Sequence, residues 1–247
     1  MIENGFEKTL EVKYSDMEHD LTLKPYALLN FLQDLASENA EMMGFGYSSM
    51  YHRNLGWFLI KYRMEFYDYP IGCYKIRLKT QSRGYNRLFA YRDFEIYDGE
   101  KLLGRVASMW SVVDLNTKTL IPIAQAFAEN SAMPLFSKKE DDLAFGKIEA
   151  LKNSDYHGDF KVRYNDLDVN GHTNNGNYII WALEPLDFQF REKNKIKTID
   201  MVYKKESKFG EDIFCDVEFI NETTSVHYIK NKNNEDLCMI KCEWEAK

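Results

Sequence analysis

The stretch Val162–Trp181, VRYNDLDVNGHTNNGNYIIW, carries acidic, amide and imidazole side chains directly ahead of an apolar run. Asp168, Asn170 and His172 stand at alternate positions in it. In an extended segment, residues spaced by two point to the same side. An extended conformation here therefore predicts that a carboxylate, an amide and an imidazole face one common space.

The residues that follow predict a helix. Asn174 or Asn175 can cap a helix that begins near Gly176, because a short amide side chain satisfies first-turn N–H groups that have no partner within the helix. The helix is expected to reach about Glu192, with a kink or interruption at Pro185, which lacks the N–H that a helix interior needs. Polar groups beside a helix N-terminus suit a site where negative charge develops. The alternative is a polar loop in which these residues only make turns and a cap.

Length and composition limit the classes of protein that fit this chain. Its 247 residues are 45% hydrophobic and 29% charged, which is typical of a globular protein with one large domain or two smaller ones. The net charge of −7 argues against a nucleic-acid binder, which needs a basic surface. No apolar run approaches the roughly 20 residues of a membrane span. The first residues show no secretory or transit pattern, so a cytoplasmic location is expected.

Neither the cysteines nor the histidines are spaced as metal ligands. The four cysteines form no CxxC pair and are expected to be buried free thiols: Cys73, Cys215, Cys238 and Cys242. The five histidines are scattered: His19, His52, His157, His172 and His227. No metal and no cofactor are therefore expected. No G-x-S-x-G motif occurs, which argues against a Ser/His/Asp hydrolase.

The first half of the chain predicts an α+β unit. Residues 8–16 alternate like a strand, and Thr22 and Pro25 open a helical pattern that Gly44 closes. Four runs rich in aromatic and β-branched residues then predict strands: Trp57–Phe66, Tyr74–Ser82, Leu88–Tyr97 and Leu102–Asp114. Asp98-Gly99 is a strong hairpin signal between the last two runs. One helix packed on a largely antiparallel sheet follows from this order.

The second half repeats the first in three short matches that come in the same order. The matched pairs are Val12–Asp16 with Val162–Asp166, Tyr62–Glu65 with Tyr203–Glu206, and Ser108–Trp110 with Cys242–Trp244. We interpret this as a tandem duplication.

The two copies differ in chemistry. Where the second copy has Asp168, Asn170 and His172, the first has Glu18, Asp20 and Thr22. This difference is expected if one copy carries the chemistry and the other a pocket.

The second half resembles the acyl-acyl carrier protein thioesterase family. The family pattern Asp-x-Asn-x-His, followed by x-Asn-Asn-x-x-Tyr-Ile-x-Trp, matches Asp168–Trp181, and its Tyr-basic-x-Glu motif matches Tyr203–Glu206. In the first half, Trp57–Leu59 and Ala107–Trp110 also resemble family landmarks.

The resemblance implies an α+β fold of two tandem hotdog units, each a long helix wrapped by an antiparallel sheet. It places the N-terminal, pocket-side unit at residues 1–125, a connector at 126–158 and the C-terminal, catalytic unit at 159–247.

The resemblance also implies the hydrolysis of acyl-acyl carrier protein to a free fatty acid by a water molecule. It makes Asp168, Asn170, His172 and Glu206 the catalytic residues: Glu206 as base or water-holder, Asn170 and His172 as hydrogen-bonding partners, and Asp168 as an orienting group. Backbone N–H groups near Gly176 are expected to bind the developing oxyanion.

Two departures from the family bear on the mechanism. Ser207 stands where plant members have a cysteine, which argues against a thiol nucleophile. Gly171 replaces a larger polar residue usual in plant members.

The expected partner is acyl-acyl carrier protein, with no nucleic acid and no membrane. Since the carrier is acidic, a local basic patch is expected from the lysines of the second half: Lys193, Lys195, Lys197, Lys204, Lys205 and Lys208. Two other functions stay open, an acyl-coenzyme A hotdog thioesterase and a non-catalytic acyl-binding module. The duplicated chain is compatible with a monomer that forms a pseudo-dimer or with a homodimer.

Overall fold

The computed structural model describes residues 2, 5–72, 74–127 and 133–247. The chain divides into two compact units, one of Met1–Tyr62 and Tyr67–Ala144, the other of Arg63–Phe66 and Phe145–Lys247. None of the helices in the described part is long and apolar enough to cross a membrane.

The first unit is one long helix on an antiparallel sheet. Its helices are α1 (Pro25–Met42), α2 (Tyr47–Tyr51) and α3 (Ile123–Ala126). Its strands are β1 (Phe6–Glu11), β2 (Leu55–Phe66), β3 (Lys75–Tyr85), β4 (Ala90–Asp98), β5 (Lys101–Asp114) and β6 (Thr119–Ile121). The strands lie in the order β1-β3-β4-β5-β2, with β6 paired to β5. The last four residues of β2 belong to the second unit.

Helix α1 forms where the periodicity predicts it. Pro25 occupies its first turn, where a missing N–H costs nothing. Its apolar residues recur every three or four positions and are buried: Leu28, Leu29, Leu32, Leu35 and Ala36. Gly44, at φ 79°, follows the helix in the left-handed conformation that glycine adopts readily. The four predicted strands after α1 and the turn at Gly99 are confirmed. The strand predicted at residues 8–16 is only partly present, because β1 ends at Glu11 and Tyr14–Asp16 form a short 3-10 helix.

The second unit has the same strand order. Its strands are β7 (Tyr156–Lys161), β8 (Asn194–Tyr203), β9 (Asp212–Asn221), β10 (Thr224–Asn231) and β11 (Asp236–Ala246), and they lie in the order β7-β9-β10-β11-β8. Each strand takes the place of the strand six numbers earlier in the first unit. The tandem duplication is therefore confirmed by the topology.

The helix of the second unit covers about the predicted range and is interrupted at Pro185, as predicted. It consists of α4 (Asn177–Leu183) and α5 (Phe188–Lys193). Pro185 lies between them because it cannot donate the hydrogen bond that would continue α4. Asp187 caps α5 by accepting from the Phe190 N–H. The expected long helix is thus two short ones.

The segment between the two copies is irregular. Residues 133–155 contain neither helix nor strand, whereas residues 128–132 of the predicted connector lie outside the described part. Arg83 of β3 binds Asp142 of this segment, and the Gly146 N–H donates to the buried Asp200 of β8 at 2.7 Å. The boundaries predicted at 125 and 158 stay a prediction.

Three cysteines are buried free thiols, as predicted: Cys215, Cys238 and Cys242. Burial raises the pKa of each of them, so the neutral thiol is favoured. The fourth, Cys73, lies outside the described residues.

A buried histidine ties α4 to the sheet of the second unit. His227 on β10 is fully buried, and its Nδ1 lies 2.8 Å from the Ala182 carbonyl oxygen in α4. Its Nε2 lies 2.8 Å from the Ser225 hydroxyl, which accepts from the Trp244 indole N–H at 2.8 Å. Because the carbonyl can only accept, the neutral imidazole carries its proton on Nδ1. Burial accordingly lowers the pKa of His227 to about 4.

We expect this histidine to make the protein sensitive to acid. The unfolded chain takes up the His227 proton near pH 6.5 and the folded protein only near pH 4, so stability falls as the pH drops through this window. The loss is about 3 kcal/mol. Urea denaturation from pH 4 to 8 should show this slope for the wild type and a flatter one for His227→Gln.

His157 provides the control for that experiment. It lies between Asp216 and Asp159, and its hydrogen bonds to them raise its pKa. Its contribution to stability is therefore present below pH 6.5 and lost as the pH rises through its folded-state pKa. His157→Gln should alter the stability curve above pH 6.5 and keep the acid slope. An equal acid slope in His227→Gln and wild type would refute the assignment to His227.

Candidate active site

The segment that carries the predicted site residues is a tight turn. Asp168 donates its N–H to the His172 carbonyl at 2.7 Å, and the Gly171 N–H donates to the Asp168 carbonyl at 3.0 Å. Leu167 and Thr173 pair across the base of the turn. The segment is therefore not extended, and it makes the turn that the alternative prediction gave it. Gly171, at φ 77°, is in the left-handed region, which reverses the chain.

The Asp168 carboxylate is what holds the turn in shape. Its Oδ1 accepts the backbone N–H of Asn170 at 2.9 Å and that of His172 at 3.1 Å. Its Oδ2 lies 3.4 Å from the Asn170 side-chain nitrogen. An aspartate that binds N–H groups two and four residues further on is a strong local competitor of extended structure. This explains why the alternation of polar residues did not yield a strand.

The turn brings His172 to Glu206. The imidazole Nε2 lies 3.2 Å from the Glu206 carboxylate oxygen, although the residues are separated by two short helices and a strand in the sequence. The His172 side chain is 18% exposed and that of Glu206 is 36% exposed, so the pair can be reached by solvent or a ligand. Of the four predicted residues, His172 and Glu206 are thus in direct contact. Asp168 binds the backbone N–H groups of Asn170 and His172.

Glu206 lies beyond the end of β8, unlike its counterpart in the sequence repeat. β8 ends at Tyr203, whereas Glu65, the match to Glu206, lies inside β2 and binds Arg63 at 2.8 Å. Tyr203 also donates its hydroxyl to the Asn175 carbonyl at 3.1 Å, which connects this strand end to the residues before α4. The repeat therefore aligns the two strands, but only Glu206 is released from its strand toward the turn.

The first unit contains the same turn with different side chains. Glu18 N donates to the Thr22 carbonyl at 2.7 Å, Leu21 N donates to the Glu18 carbonyl at 3.1 Å, and Met17 pairs with Leu23. Leu21, at φ 65°, takes the left-handed position that Gly171 holds in the second unit. The turn is thus a property of the duplicated fold. At the position of His172 the first copy has Thr22, and its own histidine, His19, stands where the second copy has Val169.

The start of α4 differs from the predicted oxyanion site. The Asn174 side-chain oxygen accepts the Gly176 N–H at 2.8 Å, and the Asn174 carbonyl accepts the Asn177 N–H at 2.9 Å. Asn174, one of the two predicted capping residues, thus binds N–H groups at the start of α4, although the N-cap position itself is Gly176. Because the Gly176 N–H is already bound, it is not the donor for an oxyanion. Asn170 is exposed on the turn.

The sequence alone did not single out the buried hydroxyl groups behind the site. The Ser207 hydroxyl lies 2.8 Å from that of Thr173 and 3.0 Å from that of Tyr178. All three residues are buried. The one feature of the sequence that could have indicated these groups is the position of Ser207 directly after Glu206.

Comparison with known proteins places the chain in a family. Residues 3–130 match the model of the acyl-ACP thioesterase N-terminal domain, and residues 149–246 match that of the C-terminal domain. The chain belongs to the acyl-ACP thioesterase family. The four predicted residues all lie in the part that matches the C-terminal domain.

Relatives and solved structures agree with this assignment. A chloroplastic acyl-[acyl-carrier-protein] hydrolase of Cuphea viscosissima is 23% identical over 98% of this chain and 63% of its own length. Oleoyl-acyl carrier protein thioesterase 2 of Arabidopsis thaliana is 26% identical over 83% of this chain and 61% of its own length. The chain thus spans less than two thirds of these curated relatives.

The solved structures confirm the predicted tandem hotdog fold. An acyl-ACP thioesterase of Bacteroides thetaiotaomicron superposes with a TM-score of 0.84 at 22% identity, with 98% of both chains covered. The 12:0-ACP thioesterase of Umbellularia californica gives 0.87 at 20% identity, again with 98% of both chains covered. At this level of identity the likeness concerns the fold.

Most of the lysines predicted as a docking patch are held in ion pairs. Lys195 and Lys197 lie near Glu245, Lys204 binds Asp236 and Lys205 binds Glu235. In the described part of the chain, Lys193 and Lys208 make no ion pair. Lys208 is exposed and follows Ser207, which places it beside the candidate site.

We expect Asp168 to be required for the turn and not only for its charge. Asp168→Ala removes two hydrogen bonds to backbone N–H groups and should lower the free energy of unfolding by about 1–2 kcal/mol. Asp168→Asn keeps a side-chain oxygen acceptor and should lose less than half of that. Urea denaturation of both variants measures the difference. Equal losses in the two variants would contradict the role of the oxygen.

Proposed function

We propose that the protein hydrolyses the thioester of acyl-acyl carrier protein and releases a free fatty acid. The observation that carries the proposal is the contact between His172 and Glu206, beside a turn whose shape Asp168 sets. Membership in the acyl-ACP thioesterase family and the names of its relatives support the substrate class. Among the described residues, no group of three or more His, Cys, Asp and Glu side chains could hold a metal ion.

Hydrolysis of a thioester requires a water nucleophile and a polarised carbonyl. Glu206 and His172 together bind the water and accept its proton as it attacks the carbonyl carbon. The C–S bond then breaks, the thiolate of the carrier leaves and takes up a proton, and the acyl group is released as the acid. Since a thiolate is a good leaving group, activation of the water matters more than acid catalysis at sulfur.

Asp168 and Asn170 have other roles in this scheme. Both hydrogen bonds that fix the turn go to Asp168 Oδ1, so this carboxylate orients Asn170 and His172 and does not itself take the proton. The Asn170 amide is exposed and donates to the substrate carbonyl as negative charge develops. Asp168 is therefore a positioning residue, while Asn170, His172 and Glu206 contact the reacting atoms.

The first test is thiol release from a panel of acyl-acyl carrier proteins of different chain length. Glu206→Gln should lower kcat about 10²-fold or more, because it removes the general base. Glu65→Gln is the matched control, since this glutamate has the same motif position in the other copy and a similar exposure, 29% against 36%. Its kcat should stay close to the wild-type value.

Each contrary result removes a defined part of the proposal. Unchanged turnover in Glu206→Gln would exclude that residue and leave His172 as the base. A wild type that binds acyl chains but hydrolyses no thioester would favour the non-catalytic acyl-binding module. Faster hydrolysis of acyl-coenzyme A than of any acyl-acyl carrier protein would favour the alternative of an acyl-coenzyme A hotdog thioesterase.

Recognition of the acidic carrier can be tested at Lys208. Because the lysine is exposed beside the site, Lys208→Ala should lower kcat/KM for acyl-acyl carrier protein several-fold while kcat is kept. The difference from wild type should shrink at high salt, which screens exposed charges. Lys8→Ala, at an exposed lysine of the first unit, is the control. Equal kcat/KM values for Lys208→Ala and wild type at low salt would exclude Lys208 from docking.

A further inference from the structure

Behind the His172–Glu206 pair, the second unit contains a cluster of three buried hydroxyl groups. Thr173 Oγ1 and Ser207 Oγ are 2.8 Å apart, and the Tyr178 hydroxyl is 3.0 Å from Ser207 Oγ. The Ser207 carbonyl also accepts from the Thr173 backbone N–H at 3.0 Å and from its hydroxyl at 3.1 Å. Relative exposure is 0% for Ser207, 5% for Thr173 and 2% for Tyr178. We name these three residues the hydroxyl cluster.

Two residues of the hydroxyl cluster directly follow the two residues of the His172–Glu206 pair in the sequence. Thr173 follows His172, and Ser207 follows Glu206. A bond between Thr173 and Ser207 therefore fixes the distance between the backbones that carry the imidazole and the carboxylate. Glu206 itself lies three residues beyond Tyr203, the last residue of β8.

The first unit shows which part of this arrangement the fold needs. There, the Leu23 N–H donates to the Pro70 carbonyl at 2.9 Å, as the Thr173 N–H does to Ser207. Leu23 and Pro70 carry no hydroxyl, and Leu28 stands at the position of Tyr178. All three first-unit residues are buried. The fold is therefore built with apolar side chains here, and only the backbone bond is common to both copies.

We propose that Ser207, with Thr173 and Tyr178, is a positioning residue that holds Glu206 against His172 for catalysis. Hydroxyl groups in a buried cluster satisfy one another at fixed separations, whereas apolar side chains only fill volume. A catalytic pair loses rate when its atoms are displaced by about 1 Å. The inference rests on the proposed hydrolysis for its kinetic readout, and has a structural readout that does not.

The kinetic test compares two buried serines of the same unit. Ser207 and Ser225 are both 0% exposed, and each bonds to two side chains. Ser207→Ala should lower kcat about tenfold with little change in KM, since the substrate contacts remain. Ser225→Ala should lower stability to a similar degree and keep kcat. Ser207→Cys, which retains a weak donor and acceptor, should recover part of the rate.

The structural test is the crystal structure of Ser207→Ala. The distance between His172 Nε2 and Glu206 Oε2, 3.2 Å here, should exceed 4 Å or differ between copies in the crystal. A distance unchanged from 3.2 Å, or a kcat equal to that of Ser225→Ala, would overturn the proposal. If the wild type hydrolyses no thioester, the proposed function fails, and the crystal structure still decides the role of Ser207.

Discussion

One backbone hydrogen bond is the constraint on which both copies of the fold depend. It runs from the residue after the turn to the loop beyond the second strand, as Leu23 to Pro70 in the first unit and Thr173 to Ser207 in the second. In each copy it ties the turn that precedes the helix to a segment that follows a central strand. Whatever side chains flank this bond are therefore brought together by the fold. In the second unit these neighbours are His172 and Glu206.

The division of labour between the two copies follows from this shared frame. The second copy places an imidazole in the turn and a carboxylate beyond β8, whereas the first has Thr22 in the turn and its motif glutamate, Glu65, within β2. The backbone shape of the turn is the same in both copies, since Leu21 and Gly171 both adopt the left-handed conformation. The chemical difference between the copies therefore lies in the side chains. A non-glycine residue in the left-handed conformation costs about 1 kcal/mol or more. The first unit tolerates this cost.

How far the sequence predicts the structure depends on the range of the forces involved. Helix α1, the Gly99 turn and the break at Pro185 were predictable, because periodicity and backbone chemistry act locally. The duplication could be predicted because three short sequence matches recur in the same order. The spacing around Asp168 left both an extended segment and a turn open, because alternation alone does not show whether an aspartate binds N–H groups nearby. The contact between His172 and Glu206 came from the family motif and not from the spacing.

The hydroxyl cluster could not be predicted from the sequence, for a different reason. Thr173, Tyr178 and Ser207 are ordinary residues in separate segments, and only their burial together makes each hydroxyl need the others. A buried hydroxyl without a partner costs about 1–3 kcal/mol, so a cluster that satisfies itself is favoured over an isolated one. Apolar residues at the same positions of the first unit avoid that requirement altogether. The second unit therefore contains hydroxyl groups that the fold does not need, and they lie directly next to His172 and Glu206 in the sequence.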